Sequence, residues 1–163
     1  MTIVVSESIE ELLHSGFRYA LSLTHNKACA EDILQDAWLA ILKANGPHTR
    51  PYLYSAIRSR FLNLNKREKL APAISLDDAP ELEEPFDDTD IRYSLECPIL
   101  EQALAELRET EREALFLTAV EGYTANEIAI FTQQPRGTVL SHIHRAKQKI
   151  RRFFDSNNAE AAP

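Results

Sequence analysis

Several features are absent from this sequence of 163 residues, and each absence removes a class of protein. No run of about 18 apolar residues occurs, so no membrane-spanning helix is predicted. The start MTIVVSESIEE lacks the basic residues and the apolar core of a secretory signal peptide. No nucleophile paired with a base, phosphate-binding loop or metal-ligand cluster is evident. We therefore expect no enzymatic activity, no cofactor and no metal.

Cysteine is scarce as well. The only two, Cys29 and Cys97, are far apart in the sequence and form no C-x-x-C pair. Unpaired thiols are typical of a reducing environment, so we predict a cytoplasmic protein without disulfides. We expect Cys29 to be a small buried residue.

Apolar residues recur at helical spacing through the first 70 residues. Ser8 and Glu11 form a capping box ahead of a first helix. The clearest pattern is AEDILQDAWLAILKA at 30–44, which Asn, Gly and Pro at 45–47 terminate. A third helix is predicted to begin with proline at 51 and to run to about residue 69.

Helical spacing resumes near Pro98, and Thr110 and Glu113 match a second capping box. Between the two helical parts, the sequence is rich in acid and proline and has no helical period. No strand is predicted, so the fold class is all-α. We expect two small helical domains at 1–70 and 98–154, joined by an acidic flexible linker at 71–97 and followed by a frayed tail at 155–163.

The net charge of -7 conceals two basic blocks. One lies in the third predicted helix, and the other runs from Arg136 to Arg152, which includes six lysines or arginines and no acid. A strongly acidic middle separates them. Basic blocks of this kind are expected where phosphates are bound, although solvated charges on an amphipathic helix would look the same.

Residues 122–154 have the pattern of a helix-turn-helix. Thr124 and Glu127 form a capping box, and Pro135 ends the first helix. In the second helix Val139, Ile143, Ala146 and Ile150 make an inward apolar stripe. We predict that the outward face reads base edges in the major groove of duplex DNA. The residues predicted there are Arg136, Thr138, Ser141, His142, Arg145 and Lys147.

Three segments together, AEDILQDAWLAILKA, YLYSAIRSRFLNL and GYTANEIA with PRGTVLSHIHRAK, resemble an extracytoplasmic-function sigma factor of bacterial RNA polymerase. The resemblance spans about residues 9–154. It implies an alternative sigma factor with regions 2 and 4, which binds core RNA polymerase and directs promoter recognition and transcription initiation. It also implies a monomer when free and an anti-sigma factor as a further partner.

The resemblance also assigns residues. A docking stripe for core polymerase is implied at Asp32, Gln35, Asp36 and Leu39, whose spacing puts them on one outward helix face. An ordinary solvated face with one stray leucine is the alternative there. The region 4 helix-turn-helix would read the -35 element. The -10 element would be bound by the third helix, with Tyr52, Tyr54 and Phe61 for stacking and Arg58, Arg60, Lys66 and Arg67 for phosphates. In so small a domain, about half of those aromatic residues are expected to belong to the core instead.

The sequence departs from the family in places. Leu140 and His142 stand where the family often has a basic residue, and Gln133 stands near a usual turn glycine. The linker holds nine acidic residues and one arginine from Asp77 to Glu96. The resemblance implies that it threads the polymerase's RNA exit path, where its acids would imitate nucleic acid. Self-repulsion that keeps a tether extended is the alternative.

Two other functions fit the same sequence. The first is a free-standing helix-turn-helix regulator, which would dimerise and bind palindromic duplex without polymerase. The second is a sigma-like decoy, which would titrate an anti-sigma factor and bind no promoter.

Overall fold

The computed structural model describes residues 7–70 and 98–161. All regular structure in these ranges is helical, which confirms the all-α class. The helices are α1 Ile9–Thr24, α2 Lys27–Lys43, α3 Arg50–Leu70, α4 Pro98–Ala105, α5 Glu109–Ala119, α6 Ala125–Thr132 and α7 Arg136–Glu160. The linker predicted at 71–97 lies outside the described residues.

Helices α1, α2 and α3 pack against one another around an apolar core. Gly16 of α1 permits this close packing, because a Cβ added there would lie 2.7 Å from Leu53 Cδ2 and 2.9 Å from Leu34 Cδ1. The predicted capping box begins α1: the Glu11 amide donates to Ser8 Oγ, and the Ser8 amide donates to the Glu11 carboxylate. The core of this part therefore follows the apolar spacing of the sequence.

Helices α5, α6 and α7 form the predicted helix-turn-helix and its support. The capping box of α6 is confirmed, with the Thr124 amide 2.7 Å from Glu127 Oε2 and the Glu127 amide 3.2 Å from Thr124 Oγ1. Gln133 follows α6 with a φ of 55°, and Pro135 precedes α7. The turn thus uses a left-handed residue where the family often has glycine.

Helix α5 lies between the two groups of helices. It packs on α7 and α6 on one side and on α1 on the other. Three consecutive charged residues, Glu111, Arg112 and Glu113, are consequently all buried. Successive helical residues point about 100° apart, so burial of three in a row requires neighbours around most of the helix. One apolar cluster extends from α1 through α5 to α7.

The predicted start of α5 is wrong. Arg108 is the N-cap, and its amide donates to Glu111 Oε2 at 2.9 Å, so the reciprocal carboxylate is Glu111 rather than Glu113. Glu113 bonds instead with side chains of α1 and α3. The local T-x-x-E pattern at Thr110 therefore does not mark a helix cap, because the Glu113 carboxylate bonds to side chains of other helices.

Two smaller expectations also fail. Cys29 is exposed, because it lies in the first turn of α2, where its amide donates to the capping Asn26 and its side chain points outward. The tail from residue 155, expected to be frayed, is helical as far as Glu160. No glycine or proline occurs between 138 and 162 to end that helix earlier.

Gln133 and Gly122, two residues with a left-handed φ, yield a stability test. A side chain with a Cβ is disfavoured at the left-handed φ of Gln133, so Gln133→Gly should raise the free energy of unfolding by about 0.5–1 kcal/mol. Gly122 has a φ of 73° and nothing within 4 Å of an added Cβ, so Gly122→Ala should lower it by about 1 kcal/mol through backbone strain alone. Urea unfolding measures both. Equal changes of the same sign in the two variants would contradict the left-handed conformation of Gln133 and Gly122.

Candidate nucleic-acid interface

Helix α7 presents the predicted recognition face to solvent. Arg136, Thr138, Ser141, Arg145 and Lys147 are exposed, and His142 is half-buried. The opposite side is anchored, since Val139 and Ala146 have no exposed surface. Ile143 and Ile150, the other two residues of the predicted inner stripe, are half-buried. A packed inner stripe beneath an open polar face is the arrangement that a helix needs to enter a major groove.

His142 differs from the other residues of this face. Its Nδ1 atom is buried without a hydrogen-bond partner, which makes it the only such side-chain atom among the described residues. Ser141 Oγ donates to the Gly137 carbonyl at 3.0 Å, so its hydroxyl is already oriented along the helix. Arg145 and Lys147 carry no such internal bond in the part of the chain that is described. Both side chains can extend from the exposed face of α7 into solvent.

Lys149 belongs to the same basic block but has a structural partner. Its Nζ lies 2.7 Å from Oε2 of Glu111, which is 1% exposed. Burial alone would raise the pKa of Glu111, but the bonds from Lys149 and the Arg108 amide outweigh it and hold that pKa below its ordinary value. Glu111 is therefore ionised and fixes α7 against α5.

The predicted docking stripe is exposed along α2. Asp32, Gln35, Asp36 and Leu39 all face solvent, opposite the buried Ile33 and Ala37. Leu39 leaves 52% of its surface exposed, and Leu42, one turn further on, leaves 44% exposed. The helix thus offers two leucines beside its acids, which is more apolar surface than a purely solvated face would have.

Helix α3 distributes its predicted DNA ligands between surface and core. Tyr52, Lys66 and Arg67 are exposed, and Arg60 is half-buried with Nη1 3.2 Å from the Ala56 carbonyl. The Tyr52 ring packs on Gly46, where an added Cβ would lie 2.6 Å from the ring. That contact fixes the direction in which Tyr52 projects.

The remaining predicted ligands of α3 are not free in this conformation. Tyr54 is fully buried and stacks on Tyr19 with the ring centroids 4.4 Å apart, and Phe61 is also in the core. Neither ring is open to a base in this conformation, so Tyr54 and Phe61 are the aromatic residues of α3 that belong to the core. Arg58 is 15% exposed and forms an ion pair with Glu113.

Glu113 is the first of two carboxylates whose contacts between helices the sequence does not predict. Its Oε1 accepts from Tyr19 Oη at 2.6 Å and from Arg58 Nε at 2.9 Å, so it joins α5 to both α1 and α3. Burial and the neighbouring carboxylate raise the pKa of Tyr19 well above its ordinary value of 10.0. The phenol therefore stays protonated and acts as the donor.

Glu121, just after α5, is the second. It accepts from Tyr54 Oη at 2.7 Å and from Arg50 Nη1 at 3.0 Å. Burial, and then the bond to Glu121, raise the pKa of Tyr54. Arg112 adds a third connection, since its Nε donates to the Ser22 carbonyl at 2.9 Å. No local pattern marks these pairs, because their partners lie 55 to 94 residues apart.

Comparisons with known proteins identify the family. The family model described as sigma-70, region 4 matches residues 98–150. The RNA polymerase sigma factor CarQ of Myxococcus xanthus is 31% identical over 147 residues, which cover 86% of this chain and 83% of CarQ. The ECF RNA polymerase sigma factor SigM of Bacillus subtilis is 23% identical over 93% of this chain and 95% of its own.

A solved structure shares the fold. It is the sigma factor RpoE in complex with the anti-sigma factor NepR from Bartonella quintana, with a TM-score of 0.63, 20% identity and coverage of 88% of this chain and 92% of that chain. This chain belongs to the extracytoplasmic-function family of RNA polymerase sigma factors. Its residues 98–150 are the region 4 segment, which supports promoter recognition. Within the described ranges, no helix is long and apolar enough to cross a bilayer.

The ion pair behind α7 predicts a pH-dependent stability difference. Lys149→Met leaves Glu111 buried without its cation and should lower the free energy of unfolding by about 1–3 kcal/mol at neutral pH. A carboxyl with a lowered folded pKa stabilises above its ordinary value of 4.5 and loses this contribution as the pH falls through the folded pKa. The difference between wild type and variant should therefore shrink below about pH 4.5. Urea unfolding at several pH values measures it, and a constant difference would contradict the pairing.

The recognition face predicts how two side chains act on DNA. The variants Arg145→Ala and His142→Ala are each tested for binding to a library of randomised -35 elements. Loss of a base contact removes about 1–3 kcal/mol of discrimination at one position, whereas loss of a phosphate contact weakens all sequences alike. We expect at least one variant to change the preferred sequence. Val139→Ala should instead lower stability without changing preference, because Val139 is fully buried.

Proposed function

We propose that this sigma factor reads the -35 element with α7, docks on core polymerase with α2 and binds the opened -10 element with α3. The observation that carries the proposal is the amphipathic arrangement of α7, whose outer side is polar and largely exposed and whose inner side is anchored by the buried Val139 and Ala146. Such a face suits direct contact with base edges.

The proposed -35 contact divides into two kinds. Arg145 and His142 lie on successive turns of the outward face and are the candidates for base readout. Arg136 and Lys147 extend the positive charge on either side and suit phosphates. Leu140, which is 41% exposed on the same helix, offers an apolar contact of the kind that a thymine methyl group accepts.

The proposed docking site on α2 combines charge with apolar area. Asp32 and Asp36 suit a basic partner surface, and Leu39 with Leu42 supplies the apolar contact that gives a protein interface its affinity. The ordinary solvated face considered from sequence explains the acids but not two exposed leucines one turn apart.

The proposed -10 site on α3 pairs one aromatic ring with several cations. Tyr52 is the exposed ring, and Lys66 and Arg67 lie on the exposed distal part of the helix. Stacking on an aromatic ring together with phosphate neutralisation is how proteins hold unpaired strands. The structural relative RpoE is bound by an anti-sigma factor, and we propose a partner of that class for this chain as well.

Reconstituted transcription tests the proposal. The purified chain is added to core RNA polymerase with fragmented genomic DNA, and the transcripts are sequenced. Discrete start sites that share upstream elements are the expected result. Palindromic duplex binding by a dimer without polymerase would favour the free-standing regulator, and tight anti-sigma binding without transcripts would favour the decoy.

The docking stripe is tested separately from DNA. Asp36→Lys places a like charge against the basic partner surface and should weaken binding to core polymerase on the order of tenfold. The double variant Asp32→Lys with Asp36→Lys should weaken it further.

Glu68→Lys, the same charge change at an exposed site on α3, is the control and should bind normally. Binding is measured by competition for labelled core enzyme, and circular dichroism should show unchanged helicity. Unaltered affinity of the double variant would remove α2 from the docking site.

A further inference from the structure

The two ring nitrogens of His142 lie in different surroundings. Nδ1 is buried, and no atom in the described ranges forms a hydrogen bond with it. Nε2 has no bonding partner in those ranges either, yet it is not one of their buried atoms that lack a partner, so it reaches the surface. The half-buried ring therefore points Nδ1 inward and Nε2 toward solvent.

These surroundings decide which nitrogen carries the proton. A neutral imidazole has one N–H, on either Nδ1 or Nε2. A proton on Nδ1 would bury an N–H without an acceptor, which is rare in folded proteins, whereas a buried nitrogen with an unused lone pair is tolerated more often. The hydroxyl of the adjacent Ser141 does not change this, because it donates to the Gly137 carbonyl at 3.0 Å. The proton is therefore assigned to Nε2.

An Nε2–H at the surface of α7 can donate a hydrogen bond but cannot accept one. The four bases differ in what they offer such a donor in the major groove. Guanine presents two acceptors, N7 and O6, and thymine presents O4. Adenine places the N6 amino group beside its one acceptor, and cytosine presents only the N4 amino group. A donor that cannot also accept therefore favours guanine and rejects cytosine.

We propose that His142 reads the -35 element as a fixed donor, through Nε2–H, and so selects guanine over cytosine at the base that it faces. The proposal rests on the proposed role of α7 in reading the -35 element, and it names the kind of base edge that one residue of α7 recognises. Lysine, the kind of residue that the family often has at this position, also donates without accepting. Histidine at 142 thus keeps the hydrogen-bonding sense of the residue that it replaces.

A series of substitutions at 142 separates donor from acceptor. Holoenzyme reconstituted from core polymerase and the full chain is bound to a library of duplexes with randomised -35 elements, and the bound duplexes are sequenced. At one position, wild type should prefer guanine over cytosine by about tenfold. His142→Lys should keep that preference, because lysine only donates. His142→Gln should shift it toward adenine, because an amide pairs with adenine N6 and N7 together. His142→Ala should lose it at that position alone.

The tautomer is measured without DNA. Long-range proton–nitrogen correlation spectra of the ¹⁵N-labelled full chain distinguish a protonated ring nitrogen from a bare one. They are recorded at about pH 8, where imidazole rings carry a single proton. The signals that are missing from the spectrum of a His142 variant belong to this ring. We expect Nε2 to be the protonated nitrogen.

His144→Gln, the same change at an exposed histidine of α7, is the matched control and should leave the base preference as in wild type. A proton on Nδ1, a glutamine variant without a shift toward adenine, or a uniform loss across all sequences in His142→Ala overturns the proposal. The last of these would make His142 a phosphate ligand. A wild-type holoenzyme that selects no -35 sequence at all overturns the proposed function of α7 instead, so the two failures are distinguishable.

Discussion

The hydrogen bond between Tyr19 and Glu113 is the constraint on which the rest of the arrangement depends. Both groups are buried, and their oxygens are 2.6 Å apart. Burial of a carboxylate in that position would be costly without its donors, so the bonds from Tyr19 and Arg58 together offset that cost. The Tyr19 ring also contacts Tyr54 of α3, Phe116 of α5 and Phe131 of α6. One side chain thus links four helices.

The three buried charges of α5 bond to different helices. Glu111 pairs with a lysine of α7, and Arg112 donates to backbone carbonyls at the end of α1. Glu113 accepts from Tyr19 of α1 and from an arginine of α3. Each charge has a partner on a different element, which explains how a short helix can bury all three. Because α7 and α3 are both bonded to α5, the orientation of α7 and the burial of Arg58 on α3 have the same origin.

The local features of this fold could be predicted from sequence. The capping boxes at Ser8 and Thr124 and the inward stripe through Val139 depend on residues three or four positions apart, so the sequence displays them directly. Glu113 shows where such reasoning fails. Its local pattern suggested a cap, whereas its true partner Tyr19 is 94 residues away. Only the packing of α1 against α5 brings the two together.

The -10 residues predicted on α3 fall into an exposed group and a covered group for the same reason. Sequence identifies rings and cations on α3 but not which neighbour covers them, and the covering helix comes from the other end of the chain. Residues facing away from α5, such as Tyr52 and Lys66, stayed exposed, whereas Tyr54 and Arg58 found partners. An apolar cover over the same surface would bury the Arg58 guanidinium without a partner. The carboxylates of Glu113 and Glu121 avoid that cost, which is why α5 and the residue after it can cover this side of α3.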